Sequence, residues 1–361
     1  MNDSYHIARW LSVLSVSVSL FGVVAAQGFI DEITEEPQGA AVEPVEIDKE
    51  QVNIPTGALI VVEGAEGGGG SGFIAKLQDR LFFVTNIHVL AKARGAKFRT
   101  ADGHSLVLPD HAFLNMSRDL AIIPIDWSGE YLKVSSSLAF DGVKIGDAIT
   151  VMGNSDGVGV ATRLEGRING IGPEQLQISA KFVPGNSGSP IVHDARGTVV
   201  GIVSHMRDLS RRDKWTEDSE LSDIRRFGYR LDGENQWEQS SLRRVFDQGE
   251  LLARYEERTQ MMARTIYMLN NERTIMTGYR QHESLGHLFA PFDQGFKWDR
   301  GLASANNVRK LERFVNGLRS ELVTDRSSTR NALEINFFKK RLLELDAIRD
   351  FCEGQLRQTR F

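Results

Sequence analysis

Short apolar runs separated by turn residues fill the chain between about residues 52 and 232. No regular helical period lies between these runs. The pattern is typical of an antiparallel β-sandwich or β-barrel, and about twelve strands are enough for two small barrels. The predicted strands are 58–64, 70–77, 81–85, 97–100, 105–108, 120–125, 148–153, 161–168, 176–179, 189–193, 198–204 and 227–232.

From about residue 236 the apolar residues recur at spacings of three, four and seven, which is the period of a helix with one buried face. In the segment 242–269 they are Leu242, Val245, Phe246, Leu252, Tyr255, Met262, Ile266 and Leu269. Two more segments of this kind lie near 308–323 and 329–351. We therefore expect a C-terminal α-helical domain over residues 236–361, and the pattern does not indicate its role.

The first 26 residues have the layout of an export signal. Arg9 precedes an apolar run that ends at Val24, and Val24 and Ala26 occupy the positions that a signal peptidase reads. We expect cleavage before Gln27 and a mature chain in a bacterial periplasm or outside the cell. An uncleaved membrane anchor is the alternative, although a full membrane span needs about 20 apolar residues.

Charge and cysteine content narrow the class of protein. The 361 residues carry a formal net charge of −5 with a pI near 6.0, which argues against a nucleic-acid binder. Residues 27–51 are acidic and contain Pro37 and Pro44, so we expect an extended linker there. Cys352 is the single cysteine, so packing must stabilise the exported chain without an internal disulfide. Its amphipathic helical surroundings indicate a buried thiol and not a nucleophile.

The β region contains the three residue types that acyl transfer by a serine requires. A hydroxyl attacks, an imidazole takes its proton, and a carboxylate holds the imidazole in the right tautomer. His88 follows an apolar strand in FFVTNIHVL, Asp119 precedes another in SRDLAIIPI, and Ser187 lies in PGNSGSP. The chain order His, Asp, Ser is that of the chymotrypsin-type double barrel, and it agrees with the predicted β architecture.

Gly185 gives the loop before Ser187 the backbone freedom to turn two N–H groups toward one point. We therefore assign an oxyanion hole to the N–H groups of Gly185 and Ser187. The nucleophile-elbow motif G-x-S-x-G is not met, because Ser189 stands where its second glycine belongs.

Five segments of the β region together carry a family resemblance. They are TNIHV at 85–89, RDLAII at 118–123, GDAITVMGNSDG at 146–157, LQISAKFVPGNSGSPIV at 176–192 and GTVVGIVS at 197–204. In this order they resemble trypsin-like serine proteases of the HtrA/Deg kind. The resemblance implies a chymotrypsin-like protease domain over residues 52–232, built from two six-stranded antiparallel β-barrels. It also implies an endopeptidase with Ser187 as nucleophile, His88 as general base and Asp119 as the residue that orients the base.

The sequence departs from this family at three points. HtrA enzymes usually have Gly at the position of Ser189. The bacterial glutamyl endopeptidases have Ser there, as this chain does. Val203 stands where those endopeptidases have a specificity histidine, so selectivity for glutamate is not supported. We find no PDZ-like segment after the protease domain. The peptide sensing and oligomeric cages of the family are therefore not assumed, and the oligomeric state stays open.

The resemblance also implies that residues 179–183 and 201–204 line the primary substrate pocket, with Lys181, Val203 and Ser204 as candidate residues. Lys181 lies near the position where trypsin-type enzymes set the charge of the pocket floor. It either favours an acidic substrate side chain or points to solvent, and the sequence does not decide between these two interpretations.

Two other motifs do not indicate a phosphate or metal site. Residues 67–70 are glycines, but no Gly-Lys-Ser/Thr follows them, so we expect a flexible loop that opens a strand instead of a phosphate cradle. His282 and His287 are five residues apart, which on a helix separates them by roughly 140°, so they do not share a metal. No metal and no organic cofactor is expected.

The sequence therefore predicts an exported serine endopeptidase that hydrolyses peptide bonds of polypeptide substrates through an acyl-enzyme. Its expected setting is protein quality control or processing in the bacterial envelope. The alternative is a catalytically idle protease-like barrel that binds or scaffolds partners through its helical domain. Membrane contact is expected only through an uncleaved signal segment, and nucleic acid is not expected as a partner.

Overall fold

The computed structural model describes residues 52–65, 69–115, 117–208, 224–233, 235–271, 298–328 and 339–358. The predicted signal segment 1–26, the predicted linker 27–51 and the pair His282 and His287 lie outside these residues. In the described parts of the chain, no helix is both long enough and apolar enough to span a bilayer.

Fourteen strands and four α-helices make up the described chain. The strands are β1 (Leu59–Glu63), β2 (Gly69–Leu77), β3 (Arg80–Asn86), β4 (Lys97–Thr100), β5 (Ala112–Asn115), β6 (Leu120–Pro124), β7 (Leu132–Val134), β8 (Ala148–Asn154), β9 (Ala161–Ile171), β10 (Gln175–Ile178), β11 (Pro190–His193), β12 (Thr198–Asp208), β13 (Ile224–Arg230) and β14 (Glu238–Ser240). The helices are α1 (Ile87–Ala91), α2 (Leu242–Asn271), α3 (Ala305–Ser328) and α4 (Lys339–Gln358). Short 3₁₀ turns lie at Thr56–Ala58, Ser155–Gly157 and Trp298–Ala303.

The strands β8 to β13 form a closed antiparallel barrel, the C-terminal barrel. β8 pairs with β9, β9 with β10, β10 with β13, β13 with β12, β12 with β11, and β11 returns to β8. Because successive side chains of a strand point to opposite faces, every second residue enters the interior. Ile149, Val151, Leu176, Ile191 and Val203 are fully buried there.

The strands β1 to β6 form the N-terminal barrel and repeat the same order, β4-β1-β2-β3-β6-β5. In the described residues, the outer edge of β5 pairs with β14 instead of with β4, so this barrel is open at one seam. Its core contains Ile60, Ile74, Phe83, Leu90 and Ile123, all at most 1% exposed.

Strand β7 and a shared apolar core join the two barrels. β7 lies parallel to both β2 and β12, so one sheet runs from the first barrel into the second. Phe73 of β2, Val192 of β11 and Ile202 of β12 pack in one cluster between the barrels. Burial of this surface stabilises one relative position of the barrels, and with it the loops that face the junction.

The helices α2, α3 and α4 share a core of their own. Tyr255 of α2, Leu311 of α3 and Leu345 of α4 are among its buried residues. Helix α2 belongs to both regions, because its first turns contribute Leu242 and Val245 to the core of the N-terminal barrel. The three predicted helical segments are confirmed where they are described.

The predicted mainly β fold of two six-stranded units followed by helices is confirmed. The strand predicted at 105–108 is wrong, because this segment forms only a single bridge between Ser105 and Arg99. Leu106 within it is buried in the core of the N-terminal barrel while Val107 is 87% exposed, so the segment buries an apolar side chain without forming a strand. The fifth strand of the N-terminal barrel is β5 instead, where the fully buried Ala112 and Leu114 alternate with a more exposed residue.

Candidate active site

His88 lies on α1, a helix of five residues that follows β3 without a loop. Its neighbours Ile87 and Leu90 are fully buried in the barrel core and anchor the helix. The side chain of His88 lies on the other face and is 31% exposed. The apolar pattern of FFVTNIHVL thus fixes the backbone beneath the imidazole and leaves the ring accessible.

Asp119 holds His88 at two points. The Nδ1 atom of His88 lies 2.6 Å from Oδ2 of Asp119, and the backbone N–H of His88 donates to Oδ1 at 3.1 Å. The pairing of β3 with β6 brings these residues together, because Asn86 lies opposite Leu120 in the register. The Asp119 carbonyl also accepts from the N–H of Ile87 at 3.3 Å and from the amide of Asn86 at 3.1 Å.

Asp119 has a backbone φ of 48°, in the left-handed region that few residues other than glycine adopt but that aspartate tolerates. Four hydrogen bonds to α1 and its preceding residue hold it in this conformation. With Nδ1 donating to the carboxylate, Nε2 of His88 keeps a free lone pair, so it is the atom that accepts a proton.

Ser187 lies on the loop between β10 and β11. Its hydroxyl donates to the carbonyl of Ser204 at 3.2 Å. The hydrogen bonds within the described residues include none between Ser187 and His88. The structure therefore brings His88 and Asp119 into direct contact and gives the Ser187 hydroxyl another acceptor. Hydrogen bonds between a base and a nucleophile are often long before substrate binds.

Gly185 has a φ of 94°, and a Cβ at this position would lie closer than 3.0 Å to the Asn154 carbonyl oxygen and to the Gly157 nitrogen. The loop conformation therefore requires glycine. Among the described residues, none accepts a hydrogen bond from the N–H of Gly185 or of Ser187. Both predicted oxyanion-hole donors thus stay available to a ligand.

Ser71 of β2 contacts the nucleophile loop at several points, and the sequence pattern did not predict these contacts. Its N–H donates to the Ser187 carbonyl and its hydroxyl donates to the Gly185 carbonyl, each at 2.8 Å. The hydroxyl also accepts from the N–H of Asn154 at 2.8 Å, and the Ser71 carbonyl accepts from the hydroxyl of Thr85 at 2.8 Å. Because Ser71 is fully buried, water does not compete for these four bonds.

The glycines around Ser71 bring β2 close to the histidine helix. A Cβ on Gly70 would come closer than 3.0 Å to Val89 of α1, and one on Gly72 would overlap the ring of Phe83. Gly69 and Gly70 already belong to β2, so the described part of the glycine run is strand and not a flexible loop. The available sequence signal was a serine within glycines directly before an apolar strand.

The pocket candidates lie in different environments. Lys181 is exposed, whereas Val203 is fully buried in the C-terminal barrel. Ser204 occupies a β-bulge, since Val203 pairs with Gly228 and His205 pairs with Phe227, the next residue along the partner strand. Bulges beside active sites change the direction of the following side chains.

His205 is a second imidazole near the candidate site. Its ring stacks on Phe227 with 5.3 Å between the ring centroids and 17° between their planes. Burial is the largest influence on His205 and lowers its pKa to about 4, and the charges of Asp119 and His88 also act on it. His205 is therefore neutral at neutral pH. Its sequence context gave no sign of this position, because the position depends on the bulge.

Cys352 is fully buried in the helical core, and burial raises the pKa of its thiol to about 12. A thiol in this state is not a nucleophile near neutral pH. Within the part of the chain that the structure describes, no group of three or more His, Cys, Asp or Glu side chains is arranged to hold a metal ion.

Comparison with solved structures finds HtrA-type proteases at low identity. The HtrA-type protease AlgW with a tripeptide is 24% identical, with a TM-score of 0.36 over 49% of this chain and 57% of that one. The crystal structure of Deg5 is 24% identical, with a TM-score of 0.33 over 44% of this chain and 81% of that one.

Two curated relatives match part of the chain. The putative serine protease HhoA of Synechocystis sp. (strain ATCC 27184 / PCC 6803 / Kazusa) is 30% identical over 152 residues, which are 39% of this chain and 37% of the relative. The uncharacterized protein y4bJ of Sinorhizobium fredii (strain NBRC 101917 / NGR234) is 31% identical over 154 residues, which are 40% of this chain and 23% of the relative. The chain thus matches well under half the length of either relative.

A family model described as a trypsin-like peptidase domain matches residues 70–202. This range contains His88, Asp119 and Ser187, and it covers most of both barrels. Over these residues the chain is similar to trypsin-like peptidase domains, and the partial match to the putative serine protease HhoA agrees with the HtrA-type resemblance that its motifs carry.

Proposed function

We propose that this chain is a serine endopeptidase in which Ser187 is the nucleophile, His88 the general base and Asp119 the residue that orients the base. The two-point attachment of His88 to Asp119 is the observation that carries the proposal. A histidine that needed only a structural partner would not require a carboxylate fixed by its own backbone N–H as well. Fixing both groups sets the tautomer and the ring orientation before substrate arrives.

The proposed reaction begins when the Ser187 hydroxyl leaves the Ser204 carbonyl and attacks the carbonyl carbon of a peptide bond. The hydroxyl proton passes to Nε2 of His88 as the Oγ–C bond forms. The negative charge on the former carbonyl oxygen is stabilised by the N–H groups of Gly185 and Ser187. The C–N bond then breaks, His88 gives its proton to the leaving amine, and an acyl-enzyme remains.

Water completes the proposed cycle. It attacks the acyl group while His88 takes one of its protons, and the proton then returns to Oγ of Ser187 as the Oγ–C bond breaks. The carboxylate product leaves and the free hydroxyl is restored. The proposed steps require neither a metal nor an organic cofactor.

We further propose that Lys181 and Ser204 line the substrate pocket, with the buried Val203 behind them in the barrel core. We also propose that the protein acts on polypeptides after export to a bacterial periplasm or beyond. The Ser204 carbonyl supports the pocket assignment, because it lies within hydrogen-bond distance of the nucleophile. The layout of residues 1–26 supports export. A role in protein quality control or processing in the bacterial envelope is consistent with the pocket and with export. N-terminal sequencing of the exported protein, with Gln27 as the expected first residue, checks the cleavage site.

Covalent labelling by a fluorophosphonate probe tests the proposed catalytic role. The wild-type protein is expected to react, and Ser187→Ala to lose all labelling because no other hydroxyl replaces Oγ. Ser189→Ala is the matched control, since this serine is two residues away and its buried hydroxyl has no hydrogen-bond partner within the described residues. Unlabelled wild type, or equal labelling of wild type and Ser187→Ala, contradicts the proposal and favours the idle-barrel alternative.

A further inference from the structure

Helix α2 packs directly against α1, the helix that carries His88. At Gly249 the two backbones approach so closely that an added Cβ would lie closer than 3.0 Å to the carbonyl oxygen and carbon of Ala91. Both residues are buried. Since Ala91 is the last residue of α1, the contact limits how far this short helix can move.

Apolar side chains extend the same contact toward the N-terminus of α2. Leu242 is 5% exposed and Val245 is fully buried, and both belong to the cluster that contains Ile87, Val89 and Leu90 of α1. Helix α1 therefore packs between the barrel core and α2. A helix of five residues has little stability of its own, so its position depends on these neighbours.

Charged groups hold the chain just beyond α1. The guanidinium of Arg94 forms ion pairs with Asp247 and with Glu250 of α2. It also lies over the ring of Phe246, 5.7 Å from the ring centroid. Arg94 thus contacts three residues of one helix face, while Gly249 lies on the face turned toward α1.

The far part of α2 belongs to the helical core. Tyr255 and Met262 pack there with residues of α3 and α4. One helix of 30 residues, about 45 Å long at 1.5 Å per residue, thus connects this core to the support of His88.

We propose that α2 is the positioning element for His88, and that Gly249 sets the distance between α2 and the catalytic helix. Through this contact the early turns of α2 control the alignment of the general base. The proposal rests on the function proposed above, since it assigns His88 the role of base. A misplacement of about 1 Å lowers the rate of an aligned reaction by about 10²-fold, so a small shift of α1 is enough.

Substitution of Gly249 by alanine tests the contact. The new methyl group must separate α1 from α2, so the fluorophosphonate labelling rate is expected to fall by about 10- to 100-fold. Gly317→Ala and Gly354→Ala are matched controls, because these glycines lie on α3 and α4 with nothing within 4 Å of an added Cβ. Both controls are expected to label at the wild-type rate.

A second pair of variants covers the case in which Gly249→Ala fails to fold. Arg94→Met removes the charge from an exposed side chain and is expected to slow labelling by about two- to fivefold, as for a partly exposed ion pair. Arg94→Lys keeps the charge and is expected to restore most of the rate. For peptide hydrolysis the loss is expected in kcat and not in KM, because the substrate pocket is not touched.

The proton NMR signal of Nδ1–H of His88 separates positioning from general stability. It is expected to shift or broaden in Gly249→Ala and to stay unchanged in Gly317→Ala. Wild-type protein that does not label contradicts the proposed function, whereas this signal still reports on the contact. If the wild type labels, and Gly249→Ala has the same labelling rate and the same Nδ1–H signal as the wild type, the positioning role is overturned. If Gly249→Ala does not fold, equal rates for Arg94→Met and wild type overturn it.

Discussion

Both oxygens of the Asp119 carboxylate are engaged by His88, one by the ring and one by the backbone N–H. In Asp119→Asn the amide keeps the shape of the side chain but loses the charge, and its NH₂ group favours the wrong imidazole tautomer. We expect the rate of peptide hydrolysis at pH 7 to fall by about 10⁴-fold while the fold is kept. The measurement is kcat/KM with a peptide substrate.

Asp102→Asn is the matched control for this prediction. Asp102 also pairs with a histidine, since its carboxylate lies 3.1 Å from Nδ1 of His104, but that pair is exposed at a turn. Loss of this pair in Asp102→Asn is expected to leave the rate of peptide hydrolysis unchanged. An Asp119→Asn variant that keeps a tenth or more of wild-type activity contradicts the orienting role.

Ser71 shows how much a single hydroxyl contributes at the junction of the barrels. Ser71→Ala leaves the Gly185 carbonyl and the Asn154 N–H without their partner in a fully buried place. Each of these two unpaired groups costs roughly 1–3 kcal/mol, so we expect urea unfolding to show a loss of about 2–6 kcal/mol. Ser136→Ala, at an exposed serine, is expected to stay within about 0.5 kcal/mol of wild type.

Activity should fall together with stability in Ser71→Ala, since the freed loop carries both Gly185 and Ser187. If Ser71→Ala matches Ser136→Ala in both unfolding free energy and activity, the two hydroxyl hydrogen bonds of Ser71 contribute nothing to the nucleophile loop. Equal stability with lower activity assigns them to loop geometry alone.

At the level of elements, the sequence was informative where short-range pattern decides the structure. The apolar run before His88 and the run after Asp119 predicted β3 and β6, and the antiparallel pairing of these strands explains why residues 31 positions apart meet. The apolar stripes of the helical segments predicted α2, α3 and α4 for the same reason.

The elements that could not be predicted depend on partners far along the chain. Strand β14 has three residues and no apolar run, and it exists because β5 offers an edge more than a hundred residues earlier. The bulge at Ser204 depends on how β12 meets β13, so the place of His205 was hidden as well. Ser71 was overlooked because its four partners lie in other segments of the sequence.

On the scale of the whole molecule, the candidate site is shared between the barrels. His88 and Asp119 come from the N-terminal barrel, Ser187 comes from the C-terminal barrel, and Ser71 bonds from one to the other. The site therefore requires the shared core around Phe73 and Val192 to hold one arrangement. The helical region adds a third body, joined to the first barrel through the early turns of α2.

Two truncated chains separate the contributions of α2 and of the helical core. A chain ending at Ser241 loses Leu242 and Val245, whose burial contributes roughly 1.5–3 kcal/mol each. Each kcal/mol of lost stability lowers the melting temperature of a domain of the size of this protease region by about 2–4 °C. We therefore expect the melting temperature of the chain ending at Ser241 to fall by roughly 10 °C. A chain ending at Thr259 keeps these residues and the contact of Gly249 with Ala91.

The chain ending at Thr259 is therefore expected to melt well above the one ending at Ser241 and to label with the fluorophosphonate probe near the full-length rate. This follows because every contact between α2 and the barrel described above lies before residue 251. Calorimetry and labelling rates measure the two expectations independently. If both truncated chains melt at the same temperature, the early turns of α2 do not support the barrel, and the helical region has no route through them to His88.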